Sequence, residues 1–184
     1  MRKNNYIALA KKASSIQINE LKKIKKVFNH SFVKAVDLIL NCKGKVIFAG
    51  VGKSGLIAKK ISATFSSVGI PSFFCDPAQA LHGDMGQIEK KDILIIFSYS
   101  GNTSELNNML KYANRFRIKV IGVASKPDSV LLKASDIKLV LPKVKESDVT
   151  GMVPTSSTSI TLLLGDCLAT TVMHQRKFSK EKFK

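Results

Sequence analysis

The chain opens with apolar residues that recur at three- and four-residue spacing, which is typical of amphipathic helices. This spacing predicts helices over residues 2–41, separated by the polar residues 29–31. The apolar positions are Ile18, Leu21, Ile24, Phe28, Phe32, Val33, Val36 and Leu40. A long amphipathic helix needs an apolar surface, and we expect that surface to be the protein's own sheet or a second subunit.

From residue 45 onward, short apolar runs alternate with helical patterns. Strands are predicted at residues 45–50, 72–75, 92–98, 119–124 and 137–141, and helices at 53–68, 103–116 and 157–174. Strands that are apolar on both faces indicate a parallel sheet covered by helices on both sides. The sequence therefore predicts an α/β fold, a three-layer α/β/α sandwich around a five-stranded parallel sheet. We expect the flavodoxin-like strand order 2-1-3-4-5, preceded by N-terminal helices.

The composition of the chain indicates in which cellular compartment the protein is located. The 184 residues, 45% of them hydrophobic, make one domain of ordinary size, with no run of about eighteen apolar residues that could span a membrane. The N-terminus is polar and lacks the apolar segment of a secretion signal. The cysteines Cys42, Cys75 and Cys167 are widely spaced and suggest no disulfide framework. We expect a cytoplasmic protein with no membrane partner.

The net charge of +17 arises from 26 lysines and 4 arginines against 13 acidic residues. The lysines are scattered, aromatic residues do not interleave with them, and no nucleic-acid recognition motif is present. We interpret the charge as a solvated, lysine-rich surface and expect no nucleic-acid partner. A positive field still favours an anionic substrate by electrostatic steering.

Two unusual loops follow the first and third predicted strands, where the strand order reverses and ligands bind in such sheets. The first, residues 50–55, holds three glycines at the start of a helix, where free N–H groups suit a phosphate or a sugar oxygen. The loop lacks P-loop spacing. It satisfies GxGxxG, but no acidic residue follows the second strand in the usual place, so we expect no nicotinamide cofactor.

The second loop carries hydroxyl side chains at Ser98, Ser100, Thr103 and Ser104, before another predicted helix. One of them could cap the helix, but one cap does not account for four hydroxyls. Several hydroxyls beside a helix N-terminus form a phosphate cradle that needs no arginine. Glu105 then lies in the first helical turn, either as a capping carboxylate or as an acid/base group.

Two further segments could contribute polar groups. His82 lies between the second and third strands, and spacing alone leaves open whether it is structural or takes part in proton transfer. Hydroxyl residues cluster again at 154–158, before the last helix, and Glu146 precedes that segment by eight residues in a polar loop. No cluster has metal-ligand spacing, and no arrangement indicates acyl transfer.

Four motifs together resemble one family: CKGKVIFAGVGKSG, PSFFCDPAQALHGDMG, FSYSGNTSE and VPTSSTSITLLLGD. They are similar to the sugar isomerase (SIS) family, and within it to the D-arabinose 5-phosphate isomerases, over residues 43–180. The resemblance implies a SIS phosphosugar isomerase domain at 43–184 after a helical extension at 1–42. It also implies a homotetramer without cofactors that interconverts D-ribulose 5-phosphate and D-arabinose 5-phosphate, toward the lipopolysaccharide sugar Kdo.

The resemblance also implies roles for individual residues. It places catalytic groups at Lys53, His82, Glu105 and Glu146, and phosphosugar-binding groups at Gly52, Ser54, Ser98, Ser100, Asn102, Thr103, Thr155 and Ser156. Our hypothesis makes Glu105, tuned by burial, the leading base for an enediolate mechanism, with His82 serving the oxygen protons and Lys53 stabilising negative charge. Asp76 stands where some relatives have a metal-binding histidine, so we expect no metal.

Relatives often carry a pair of CBS modules and a further histidine in an HPGG-like motif, and the printed sequence has neither. We therefore expect the chain alone to be weakly active or inactive. Two alternatives to the arabinose-phosphate activity are a non-catalytic phosphosugar-binding module and an isomerase of another phosphosugar.

Overall fold

The computed structural model describes residues 4–178 and contains a five-stranded parallel sheet with the order β2-β1-β3-β4-β5. The strands are β1 Val46–Gly50, β2 Ser72–Phe74, β3 Ile93–Phe97, β4 Lys119–Ala124 and β5 Ile137–Val140. All pairings are parallel, so the predicted fold class and strand order are confirmed.

The helices cover both faces of this sheet, as an all-parallel sheet requires. They are α1 Asn4–Leu21, α2 His30–Leu40, α3 Lys53–Ser67, α4 Pro77–Ala80, α5 Asn107–Phe116, α6 Val130–Ala134 and α7 Ser156–Gln175. One apolar core joins α2, α3 and α7 to alternate strand residues such as Phe48. The other core joins α4, α5 and α6 to the intervening residues such as Ile47.

The register of β1 with β3 places the two predicted loops side by side. Val46 pairs with Ile93 and Gly50 pairs with Phe97, so the carboxyl ends of both strands are level. The Phe48 and Phe97 rings, with centroids 6.2 Å apart, pack in the core beneath that edge. The loops that follow the two strands therefore begin next to each other. At this point the chain leaves β1 toward one face of the sheet and leaves β3 toward the other face.

Of the two N-terminal helices, α2 packs against the sheet at β5 and against α7, and the sheet is one of the two surfaces expected. Helix α1 packs along α7 rather than on the sheet, and a short 3₁₀ helix, Lys22–Val27, joins it to α2. Ile24 and Val36 are buried as expected, but Ile18, Phe28 and Val33 are exposed. An outer helix touches its neighbour along a narrower stripe than a helix that lies directly on a sheet, so fewer apolar positions are covered.

Some short elements have no counterpart in the sequence prediction, namely α4, α6 and the 3₁₀ helix Asp84–Gln87. A second 3₁₀ helix, Ser104–Leu106, replaces the first turn of the helix predicted at 103–116. Each is shorter than the window in which hydrophobic periodicity can be recognised. Because of the second 3₁₀ turn, α5 begins at Asn107 and not at residue 103, which changes where Glu105 points.

The three cysteines are free thiols in different environments. Burial raises the pKa of the Cys75 thiol to about 11, which keeps it protonated at neutral pH. Cys42 and Cys167 are only partly buried. Between residues 4 and 178, we find no helix with the length and apolar character needed to cross a membrane.

Candidate functional site

A cavity of about 370 Å³ opens at the carboxyl ends of β1 and β3. Its volume is in the range of small-molecule sites in proteins. The lining comes from the loops after β1 and β3 and from the loop that leads into α7: Val51, Lys53, Ser54, Ile57, Ser98, Tyr99, Ser100, Thr103, Glu146, Pro154, Ser157, Thr158 and Thr161. Three segments that are distant in sequence thus meet in one place.

The first wall is the glycine-rich turn and the start of α3. Gly52 precedes the helix with φ +57°, a conformation that favours glycine, and its turn brings Lys53 and Ser54 to the cavity. Helix α3 has no side-chain cap at this end, so its first N–H groups and the positive end of its dipole are available to an anion. Gly52 itself lines a neighbouring cavity of about 660 Å³ that Lys53 also borders.

The second wall is the hydroxyl loop after β3. The Ser98 hydroxyl lies 2.8 Å from the Thr103 hydroxyl and accepts a hydrogen bond from the Gly101 N–H at 3.0 Å. The Ser100 hydroxyl accepts from Asn102 N–H at 3.3 Å. None of these hydroxyls caps α5, so they are not used as the helix caps that were the alternative explanation. When Ser98 donates to Thr103, the Thr103 proton is free for a ligand oxygen.

Helix α6 holds the hydroxyl loop in place. Its Leu131 N–H donates to the Gly101 carbonyl at 3.0 Å, and its Val130 N–H donates to Asn102 Oδ1 at 3.0 Å. Asn102 is exposed and lies outside the cavity lining. The side chain anchors the loop to α6, and its role as a phosphosugar ligand stays a prediction.

The third wall carries Glu146, whose carboxylate occupies the N-terminus of α7. Glu146 Oε2 accepts hydrogen bonds from Thr155 N–H at 2.8 Å, Ser157 N–H at 3.3 Å and the Thr155 hydroxyl at 2.9 Å. A negative charge is favoured at a helix N-terminus because of the dipole and the free N–H groups. This carboxylate therefore lines the cavity and is held in one orientation by the start of α7.

Two residues that were predicted to bind substrate lie beside Glu146. Thr155 also accepts a hydrogen bond from Ser147 N–H at 2.9 Å, so its hydroxyl ties the Glu146 segment to α7. Ser156 is fully buried and lies outside the cavity lining. Substrate contacts of Thr155 and Ser156 stay a prediction, and the residues of α7 that line the cavity are Ser157, Thr158 and Thr161.

The environment of Glu146 keeps its carboxyl ionised. Burial raises its pKa, but the hydrogen bonds from Ser157 and Thr155 outweigh burial, and the net result is a pKa below the ordinary 4.5. Folding therefore stabilises the ionised form. That stabilisation is complete above the unfolded pKa and is lost as the pH falls through the lower, folded pKa.

We expect Glu146→Gln to lower the melting temperature at pH 7, by a loss of about 1–2 kcal/mol of charge-assisted hydrogen bonding. The deficit should shrink as the pH falls below the ordinary carboxyl pKa of 4.5, because protonation removes the same charge from the wild-type protein. Thermal unfolding followed by circular dichroism at several pH values measures the difference. A deficit that stays constant down to the pH at which acid unfolds the wild type would contradict the ionised, hydrogen-bonded state of Glu146.

Tyr99 connects the hydroxyl loop to the segment that leads to Glu146. Its hydroxyl donates to the Pro142 carbonyl at 3.2 Å and accepts from Val144 N–H at 2.8 Å. Burial raises the pKa of this phenol, which therefore remains a neutral donor. Sequence reasoning missed Tyr99, although an aromatic residue with a polar tip inside such a loop is itself a signal.

Two predicted catalytic residues lie outside the cavity lining of the described chain. His82 is exposed between α4 and the following 3₁₀ helix. Glu105 is exposed in the 3₁₀ turn, where it accepts a hydrogen bond from Ser104, and its own backbone N–H and that hydroxyl lower its pKa. Within one chain, Glu105 is therefore not buried and its pKa is lowered, and its role as the base stays a prediction.

The charged groups in the cavity lining are one cation, Lys53, and one carboxylate, Glu146. Among residues 4–178, no three His, Cys, Asp or Glu side chains cluster closely enough to hold a metal ion. The arrangement offers hydroxyls and a helix N-terminus for a phosphate, a carboxylate for proton transfer and an ammonium group for developing negative charge.

Comparison with known proteins identifies relatives over most of the chain. The model of the SIS domain matches residues 39–171. Arabinose 5-phosphate isomerase GutQ of Escherichia coli K12 is 40% identical over 168 residues, which cover 91% of this chain and 52% of GutQ. Arabinose 5-phosphate isomerase KdsD of Shigella flexneri is 38% identical, over 94% of this chain and 53% of KdsD. The chain thus spans about half the length of these curated relatives.

A solved structure of the E. coli CFT073 protein c3406, in complex with arabinose 5-phosphate, superimposes with a TM-score of 0.95 at 32% identity. The match covers 100% of this chain and 97% of that chain. Similarity of this extent includes the strands, the three cavity walls and the N-terminal helix.

Proposed function

The chain belongs to the SIS-domain family, and from that premise we propose that it is an isomerase of D-ribulose 5-phosphate and D-arabinose 5-phosphate. The observation that carries the proposal is the cavity itself, which combines a hydroxyl-rich anion site with Lys53 and Glu146. The names of the relatives and the arabinose 5-phosphate complex of the structural neighbour support the same substrate.

We assign the phosphate to the hydroxyl loop and the start of α3. Ser100, Thr103 and Ser54 offer hydroxyl donors, and the first turn of α3 offers backbone N–H groups. Ser98 is nearly buried and organises the loop through its bonds to Thr103 and Gly101. Binding of the distant phosphate then positions the carbon atoms at which the reaction occurs.

We assign the proton transfer to Glu146 and the stabilisation of charge to Lys53. In the aldose-to-ketose direction, the Glu146 carboxylate removes the proton from C2 of the open-chain sugar, and the electron pair forms the C1–C2 double bond of an enediolate. The Lys53 ammonium stabilises the negative charge on O1. O1 then gains a proton, O2 loses its proton to become the carbonyl, and C1 receives the proton held by Glu146. Atoms and charges balance without an added oxidant or reductant.

We also propose the wider setting that the resemblance implies. The chain works as a homotetramer in the cytoplasm and supplies D-arabinose 5-phosphate for the lipopolysaccharide sugar Kdo. Exposed apolar side chains on α1, at Tyr6, Ile7 and Leu9, support a subunit contact on that helix. The roles proposed for His82 and Glu105 stay predictions, since neither side chain reaches the cavity within one chain.

Incubation of the chain with D-ribulose 5-phosphate in D₂O, followed by proton NMR, tests the activity. We expect deuterium at the migrating position and formation of D-arabinose 5-phosphate. Long incubations at high protein concentration detect even weak turnover. Hexulose 6-phosphate and heptulose 7-phosphate serve as control substrates, and faster exchange on either would identify an isomerase of another phosphosugar. Saturable binding without exchange on any of them would identify a non-catalytic module.

A further inference from the structure

The loop that carries Glu146 is held from outside the cavity by helix α1. Lys145 N–H donates a hydrogen bond to Glu20 Oε2 at 3.1 Å, and Gln17 Nε2 donates to Ser147 Oγ at 3.2 Å. The two residues next to Glu146 in the chain are therefore both bound to the same helix. Gln17 and Glu20 are three positions apart and lie on one face of α1.

Gln17 also connects this loop to α7. Its Oε1 accepts a hydrogen bond from the Ser159 hydroxyl at 3.2 Å, while its Nε2 binds Ser147. Because the first turn of α7 provides the N–H groups that hold the Glu146 carboxylate, Gln17 links the backbone beside Glu146 to the helix that binds its side chain.

Glu20 is oriented by a second contact. Its Oε2 lies 2.5 Å from Lys23 Nζ, and that ammonium also donates to the Lys143 carbonyl at 3.4 Å. The Glu20 side chain is 14% exposed, so its carboxylate is largely removed from water. Such a charge needs hydrogen-bond donors, and the Lys145 N–H is one of them. Breaking the hydrogen bond between Lys145 and Glu20 would therefore cost free energy, because the Glu20 carboxylate would lose a donor and the Lys145 N–H would lose its acceptor.

We propose that Gln17 and Glu20 are positioning residues for the isomerisation, because α1 fixes residues 145–147 and thereby aims Glu146 into the cavity. The inference rests on the proposed function of Glu146. Neither Gln17 nor Glu20 lines the cavity, so both act through Glu146 and not on the substrate. A proton-transfer group displaced by about 1 Å can lose roughly a hundredfold in rate, and a supporting shell prevents that displacement.

The test compares Gln17→Ala, Glu20→Ala and Glu20→Gln with the control Asn19→Ala. Asn19 lies between the two residues on α1, but its side chain is exposed and accepts a hydrogen bond from Lys22. We expect kcat to fall about tenfold in each of the first two variants, with KM within about twofold. Glu20→Gln, which retains an oxygen for Lys145 N–H, should recover most of the loss, and Asn19→Ala should match the wild type.

A second measurement does not depend on turnover. Hydrogen exchange of the Thr155 and Ser157 N–H groups, the donors to Glu146, should be about tenfold faster in Glu20→Ala and unchanged in Asn19→Ala. If the wild-type chain shows no turnover, hydrogen exchange decides whether α1 holds the loop, whereas turnover of a different phosphosugar would show that the proposed function is wrong. Equal behaviour of Glu20→Ala and Asn19→Ala, or a rise in KM with constant kcat, would overturn the positioning role. Melting temperatures identify any variant that fails to fold. If Glu20→Ala does not fold, the kcat and the hydrogen exchange of Glu20→Gln decide whether Glu20 is a positioning residue.

Discussion

Replacing Glu146 by Gln is expected to lower the turnover of D-ribulose 5-phosphate by about 10²–10⁴-fold, the range for losing a positioned acid/base group. Gln has the same size as Glu and can still accept the hydrogen bonds from Thr155 and Ser157 at the start of α7. It cannot take up the proton from the sugar carbon at neutral pH. Phosphosugar affinity should stay within a few fold, because the hydroxyl loop and α3 are untouched.

Glu105→Gln is the matched comparison, because the sequence favoured Glu105 and the structure favours Glu146. Glu105 is exposed and bound to Ser104, outside the cavity lining of the described chain. We expect its loss of turnover to be at least about tenfold smaller than that of Glu146→Gln. Deuterium exchange measured by NMR and phosphosugar binding measured by calorimetry separate chemistry from affinity. Equal losses in the two variants, or a larger loss at Glu105, would remove Glu146 as the leading base.

The sheet could be predicted because its strands are buried on both faces and carry runs such as Ile93–Phe97 without a polar residue. Periods of two and of 3.6 residues are local properties, and a fully apolar run between helices has few other interpretations. The strand order then places the loops after β1 and β3 together, which is enough to predict Lys53, Ser98 and Thr103 as neighbours.

The roles of Glu105 and Glu146 could not be separated in the same way. Glu105 belongs to a motif and was expected to enter a helix, but a 3₁₀ turn of three residues before α5 directs it to solvent. Glu146 lies in a segment without regular pattern, and its position depends on donors from Thr155 and Ser157, on Tyr99 and on α1. Contacts of this kind join distant parts of the chain and leave no periodic signal.

The contacts of helix α1 with the site also could not be predicted from the sequence, because they join residues that are even farther apart in the chain. Its apolar positions predicted a helix that needs a partner, yet the contacts that matter for the site come from the polar residues Gln17 and Glu20. They bind residues about 125–130 positions away. A polar residue on a helix is normally solvated, so the sequence alone favours no functional interpretation of these two.

The glycines of residues 50–55 illustrate how one pattern can have two physical origins. GxGxxG is compatible with a dinucleotide site, in which glycines allow the backbone to approach a pyrophosphate. In this structure Gly50 and Gly55 allow the end of β1 to approach the first turn of α3. The same close approach sets the angle at which Lys53 and Ser54 reach the cavity, so the packing of β1 against α3 explains the spacing.

Gly55→Ala is therefore expected to destabilise the fold by about 1–3 kcal/mol and to weaken phosphosugar binding. An added Cβ would lie 2.6 Å from the Gly50 carbonyl oxygen, a backbone atom that cannot rotate away. Without this clash, replacing Gly by Ala inside a helix would stabilise the helix by about 1 kcal/mol. A measured loss of stability would therefore be due to the steric clash. To relieve the contact, α3 must move away from β1, and Lys53 moves with it.

Gly86→Ala is the control for Gly55→Ala, because an added Cβ there meets no atom within 4 Å and the backbone does not require glycine. Its unfolding free energy in urea should stay within about 0.5 kcal/mol of the wild type. Calorimetric titration with D-arabinose 5-phosphate then compares binding by the two variants at a temperature where both are folded. If Gly55→Ala were as stable as Gly86→Ala and bound the phosphosugar equally well, the contact between Gly50 and Gly55 would not be what sets the geometry of the cavity wall.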